Sequence, residues 1–218
     1  MAWAPSYVSA DELAAYMRIN DDVDAVQLAV AASAASRAVD RCCGRQFGQV
    51  ASVEARVYEA RFDRHRPRPA WVIDIDDLTT TTGLVVSVGG TAVTDYTLEP
   101  RNAVAKGKVW TLLVFGPDAE AVPAASAGLE VDATGLWGWP AVPDAVTQAS
   151  YLQGSRFMAR RDSPYGVAGS PADGSETRLL AAVDPDVRVS LGDYVRRWGA
   201  VSGSTGAPDT VLYPWGAR

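Results

Sequence analysis

Residues 21–44 read DDVDAVQLAVAASAASRAVDRCCG, and the rest of the chain is organised around them. The stretch predicts a helix of roughly 22 residues, about 33 Å long at 1.5 Å per residue. Asn20 or Asp21 is placed to cap its first turn, and Asp22 and Asp24 put negative charge at the positive end of the dipole. Gly44 stands where a helix closes in a left-handed residue. From Ala25 to Ser36 there is no charge and most side chains are small. A surface helix carries one apolar stripe opposite a charged face. Here Val23, Val26 and Val30 form one stripe, and Leu28, Ala32, Ala35 and Val39 form another. Two stripes predict a helix covered on both sides, by the chain's own core and by a second subunit. A central helix in a monomeric bundle fits the same residues.

Upstream, Ser9-Ala10-Asp11-Glu12 matches the capping box and opens a short helix to about Met17. Leu13, Tyr16 and Met17 are its apolar contacts, and Arg18 to Asp21 form the turn into the long helix. Downstream of Gly44 the period changes from helical to alternating. Strands are expected at Val53–Glu59, Trp71–Ile75, Leu84–Val88, Ala92–Leu98, Lys108–Phe115 and Gly128–Thr134, with Gly89-Gly90 as a hairpin turn. Pro143-Asp144 then starts a return helix to about Arg161. Its buried face is expected to carry Val146, Ala149, Gln153 and Phe157, with Ala145, Leu152 and Arg156 beside it. Ser163 to Ser175 is rich in Gly, Ser and Pro and reads as a flexible loop. Asp184-Pro185 opens a last helix through Val187, Leu191, Tyr194 and Trp198, ended by Gly199. Residues 200–218 form a polar leash with an apolar end, Val211-Leu212-Tyr213-Pro214-Trp215, and read as a docking arm.

The expected class is therefore α+β. Residues 1–50 and 141–199 make a helical bundle of short, long, return and C-terminal helices. Residues 51–140 form an inserted antiparallel β domain of five or six strands, a small sandwich or barrel. The two long helices flanking the insertion should pack together.

Composition narrows the function. The chain is 48% hydrophobic and 21% charged, a globular balance. No run approaches the roughly 18 apolar residues of a membrane span. MAWAPSYVS has no basic segment leading an apolar one, so folding in a cytoplasm without a secretory leader is expected. A net charge of −6 and a pI near 4.8 argue against a surface that grips nucleic acid throughout. All basic residues except Lys106 and Lys108 are arginine, a bias that goes with GC-rich genomes.

No catalytic constellation emerges. The only histidine, His65, sits in the basic, proline-rich run Arg64-His65-Arg66-Pro67-Arg68-Pro69, and no G-x-S-x-G elbow exists to pair with it. Cys42 and Cys43 are adjacent, outside any metal or redox spacing, and read as packing residues. No phosphate-binding glycine motif occurs. Asp74 and Asp76 would share one face of a strand, with Asp77 beside them. That arrangement suits a divalent cation or, more simply, a polar strand end. No enzyme, cofactor or metal is expected. The run Arg61 to Arg68 is the one concentrated basic patch, a solvated hairpin tip or a contact for DNA phosphates or an acidic partner.

Certain segments, taken together, carry a likeness. They are Tyr7-Val8-Ser9-Ala10-Asp11-Glu12-Leu13, the long helix ending Ala38-Val39-Asp40-Arg41-Cys42-Cys43-Gly44-Arg45-Gln46-Phe47, the return helix from Pro143, and the helix from Asp184 to Arg197. The chain resembles the head–tail connector (adaptor, or head-completion) proteins of long-tailed bacteriophages, of the type found in phages of actinobacteria. The resemblance is strongest at Val8 to Phe47 and Pro143 to Arg197, and the β segment is larger than a minimal helical adaptor needs. It implies a structural virion protein at the head–tail junction, made in the host cytoplasm. The protein would form a dodecameric ring under the portal protein and present a platform to the next neck or tail-completion protein. Genomic DNA would slide through the channel without sequence-specific binding, and no membrane is involved. Leu28, Ala32, Ala35 and Val39 become candidates for the subunit interface, Arg64, Arg66 and Arg68 for a partner ring, and Trp198, Tyr213 and Trp215 for aromatic anchors.

Two rivals share the sequence. One is a tail-completion or decoration protein whose β domain binds a partner or a glycan, with Trp71, Trp110, Trp137 and Trp139 as stacking surfaces. The other is a hydrolase with dispersed acids, in which Asp74 and Asp76 would be essential.

Overall fold

A computed structural model of the chain describes residues 5–119, 129–162, 167–168, 177–178 and 185–196. The class is α+β. Helix α1 (Ala10–Met17) and helix α2 (Ala25–Cys43) open the chain. Seven strands follow: β1 (Glu54–Asp63), β2 (Ala70–Leu78), β3 (Val85–Val88), β4 (Thr91–Ala92), β5 (Tyr96–Glu99), β6 (Trp110–Phe115) and β7 (Leu129–Gly135). Helix α3 (Asp144–Asp162), a small ladder of β8 (Val167–Ala168) with β9 (Thr177–Arg178), and helix α4 (Pro185–Leu191) complete the described elements.

The capping box at α1 is fully formed. Ser9 Oγ accepts from the Glu12 N–H (3.1 Å), and Glu12 Oε2 accepts from the Ser9 N–H (2.7 Å). α2 begins at Ala25, four residues later than the sequence suggests, because the aspartates make turns instead of a cap. Asp21 Oδ1 accepts from the Val23 N–H, and the Ala25 N–H reaches the Asp22 carbonyl. Asp24 occupies the cap position, but its carboxylate goes to Arg161. Gly44, with φ of 64°, closes the helix as expected.

α2 and α3 run antiparallel. Asp24 at the start of α2 meets Arg161 at the end of α3, while Val39 and Cys43 share a core with Val146 and Ala149. Gly154 permits the close approach of three helices. A Cβ there would lie 3.0 Å from Leu13 Cδ2 of α1 and 3.7 Å from Ala35 Cβ of α2.

The sheet has the order β4-β3-β7-β1-β2-β6-β5, and every pairing is antiparallel. The single strand expected at Ala92–Leu98 is divided: β4 pairs with β3 at one edge and β5 with β6 at the other. Only Val93, Thr94 and Asp95 join them. Four Cα–Cα steps reach at most about 15 Å, whereas seven flat strands about 4.8 Å apart would hold their edges about 29 Å apart. The sheet therefore curls until its edges nearly meet, and seven strands replace the expected five or six. Trp71, Ile73, Ile75, Val86, Leu113, Phe115, Leu129, Val131 and Trp137 fill the interior.

Two further differences concern the C-terminal part. The last helix was expected to run to Trp198 but ends at Leu191, and a tight 3-10 turn, Gly192–Tyr194, follows. Glycine at 192 is a poor helix residue and leads directly into that turn. Within the loop expected at Ser163–Ser175, Val167–Ala168 forms one strand of the small ladder. The Arg196 N–H bonds the Cys43 carbonyl (2.7 Å), so the end of the described chain is fastened to the end of α2. Residues 197–218, including Trp198, Tyr213 and Trp215, lie outside the described residues.

The helix contact gives a direct test. Gly154→Val should destabilise the protein by about 1–3 kcal/mol through overpacking, measured by urea denaturation. Combining it with Leu13→Ala, which opens space at the same point, should cost less than the sum of the two single changes. Strict additivity would show that Leu13 is not the crowded neighbour.

Candidate functional site

On α2 the two stripes are used differently, and the assignment differs from the expected one. Leu28, Ala32, Ala35 and Val39 are only 2%, 2%, 0% and 1% exposed, covered by the protein's own helices. Leu28 and Ala32 pack with Val8, Leu13 and Met158, and Val39 packs with Phe47, Val146 and Leu191. This stripe is intramolecular core and is corrected as an interface. Val23, Val26 and Val30 are 82%, 75% and 65% exposed. Ala29, Ser33 and Ala34 lie on the same open side, so more than two turns of α2 face outward without a charge. Large exposed valines beside alanine and serine offer a shallow surface that a neighbouring helix can approach closely.

Arg64, Arg66 and Arg68 lie in the hairpin between β1 and β2. Arg64 and Arg68 are exposed, whereas Arg66 is half-buried and bonds Glu99 at 2.5 Å. Arg61 faces Asp74 at 3.6 Å. The patch is therefore partly neutralised from within, and its free charge sits on Arg64 and Arg68.

The three aspartates of β2 hold arginines. Asp76 Oδ2 accepts from Arg56 Nη1 (2.7 Å) and from the Tyr58 hydroxyl (2.9 Å). Between Asp74, opposite Leu112, and Leu78, opposite Trp110, β2 carries two more residues than β6. This irregularity breaks the inside–outside alternation and directs Asp77 into the boundary between sheet and helices. There Asp77 Oδ2 accepts from Trp139 Nε1 (2.7 Å) and Arg45 Nη1 (3.2 Å). Arg196 Nη1 lies 3.6 Å from Asp77 Oδ1 and 3.9 Å from Asp76 Oδ1, and Arg196 Nη2 donates to the Ile75 carbonyl (2.6 Å). Arg56, Asp76, Arg196, Asp77 and Arg45 thus alternate in charge along the wall of a cleft of about 220 Å³. Burial pushes the Asp77 carboxyl above the ordinary carboxylate range, against the pull of Arg45, Trp139 and Arg196. Burial likewise lowers Arg45, with Asp77 opposing it. Among the described residues no group of three or more His, Cys, Asp and Glu side chains is placed to hold a metal ion.

Arg45, Trp139 and Arg196 were not legible as partners of Asp77. Trp139 is 62 residues away in the chain, and no local spacing relates them. The signal available was the Asp-Asp pair at the end of an apolar strand, which needs a counter-charge when buried.

Of the four tryptophans weighed as stacking surfaces, Trp71, Trp137 and Trp139 are buried. Trp110 is half-buried and lines a groove with Tyr96 and Thr97. Among the described residues no helix is long and apolar enough to cross a membrane. Comparison with protein-family models and with curated protein sequences finds no match.

Two outcomes follow. Asp77→Ala leaves the Arg45 guanidinium buried without its carboxylate and should cost about 3–5 kcal/mol, read from urea denaturation; a cost below about 1 kcal/mol would make the cluster peripheral. The second concerns alkaline pH. Burial pushes the Cys43 thiol from its ordinary 9.0 up to about 12, and it raises the Tyr7 and Tyr58 hydroxyls, which also bond Asp40 and Asp76. Folded values above unfolded ones mean a stabilisation complete below the unfolded pKa and lost as pH rises through the folded one. The urea midpoint should therefore fall progressively above pH 9.0, and Tyr7→Phe should flatten that decline.

Proposed function

We propose that this protein is a structural virion component, a head-to-tail adaptor that forms a dodecameric ring beneath the portal. It extends the DNA channel and presents a platform to the next neck or tail-completion protein. The observation that carries this reading is the uncharged, outward face of α2 at Val26 and Val30, with Val23 exposed in the turn just before it. A helix with one stripe in its own core and another open is built to meet a neighbour. In a closed ring that contact is heterologous, the valine face of one copy resting on a different surface of the next. Full burial of a valine contributes about 1.5 kcal/mol at the low end, so three valines support a contact that forms on a template rather than a tight free dimer. An acidic chain, with net charge −6, suits the wall of a channel through which DNA must pass without sticking.

A second reading, a tail-completion or decoration protein acting through its β domain, is favoured by Trp110 and Tyr96 in their open groove. Electron microscopy of virion necks separates the two: a ring under the portal supports the adaptor, and density elsewhere in the particle supports the second.

The residues themselves can be tested. Val26→Asp with Val30→Asp should change folding stability by no more than about 0.5 kcal/mol per site, as surface substitutions do. The same variant should be missing from virions, which would accumulate unjoined heads and tails. Normal incorporation into a ring would overturn the role given to this face.

A further inference from the structure

We infer that the free edge of β5 is a docking strand for an acidic, extended segment of a partner protein. β5 ends the strand order and, among the described residues, pairs only with β6. Among the described residues no main-chain hydrogen bond leaves Tyr96–Glu99 on the other side. In an antiparallel pair alternate residues turn both N–H and C=O away from the partner strand, so this side of β5 presents unpaired donors and acceptors. The opposite edge, β4, has two residues and is too short to template a strand.

Space and chemistry flank the same strand. A groove of about 480 Å³ is bordered by Arg66, Arg68, Thr97, Glu99 and Arg101. A second, of about 530 Å³, is bordered by Thr81, Tyr96, Leu98, Arg101 and Trp110. Tyr96, Leu98 and Trp110 are half-buried extensions of the core inside the curled sheet. An added strand would therefore place one row of side chains beside these apolar groups and the alternate row beside the arginines.

Charge specifies the second row. Arg66 is paired with Glu99, whereas Arg68 and Arg101 have no carboxylate partner among the described residues. Three arginines stand here against Asp95 and Glu99 on a chain whose net charge is −6. A locally basic rim on an acidic protein steers acidic segments to this point and repels them elsewhere. The fitting occupant alternates apolar and acidic residues. The inference does not depend on the ring, because β5 and the α2 face are separate surfaces.

The test uses the full-length protein and a short capped peptide of alternating valine and glutamate, read by amide hydrogen exchange. The expected result is slowed exchange at Tyr96–Glu99, with the valine–lysine counterpart giving none. Arg68→Glu with Arg101→Glu, both at exposed positions, should weaken binding about tenfold while leaving the unfolding midpoint in place. Any of the following would overturn the inference: unchanged exchange with the acidic peptide, equal protection by the lysine peptide, undiminished binding by the double variant, or protection by oligosaccharides instead. Concentration-dependent protection in the protein alone would assign the edge to a second copy and also overturn it.

Discussion

Asp77 carries a carboxylate into the boundary between the helices and the curled sheet, and the geometry of that boundary gathers counter-charges around it. A buried carboxylate left alone costs several kcal/mol. Here Arg45 comes from the end of α2, Trp139 from the segment leaving β7, and Arg196 from beyond α4. Each partner belongs to a different part of the chain, so one group orients the bundle, the barrel and the C-terminal segment together. Phe47 and Tyr194 pack edge to face beside the same point, and Trp139 lies tilted against both rings.

The helical part is arranged by a second constraint, the size of its residues. Ala31, Ala32, Ala35 and Gly154 let α1, α2 and α3 approach closely, and Leu13 fills the space where they meet. The buried stripe of α2 is thereby fully used within one molecule, and among the described residues the valine stripe stays exposed. Folding then draws on one face of the helix and leaves the other exposed. A change on the open face can alter association while the fold survives.

The curled sheet follows a comparable division. Its interior is filled by alternating apolar side chains, and the short Val93–Asp95 link forces the curl. Closure stops one ladder short, which leaves β5 with an open edge flanked by arginines. That edge and the α2 face are distinct surfaces.

Much of this was legible in local patterns. The capping box at Ser9, the left-handed Gly44, the return helix from Pro143 and the alternation of Leu129 and Val131 are determined by residues a few positions apart, and spacing reveals them. The mixed helix-and-sheet class follows from the change of period after Gly44. What tertiary structure alone decided lies between distant residues. Whether α2 begins at Asp21 or Ala25 depended on the turns that Asp21 and Asp22 make with the Val23 and Ala25 N–H groups. The division of Ala92–Leu98 between two sheet edges depended on which strands β3 and β6 left open. Which stripe of α2 is core depended on where α1 and α3 came to rest, since valine and alanine stripes are equally apolar by composition. The role of Asp77 required Arg45, Trp139 and Arg196, brought from three other regions of the chain by the fold and by the cost of burying its charge.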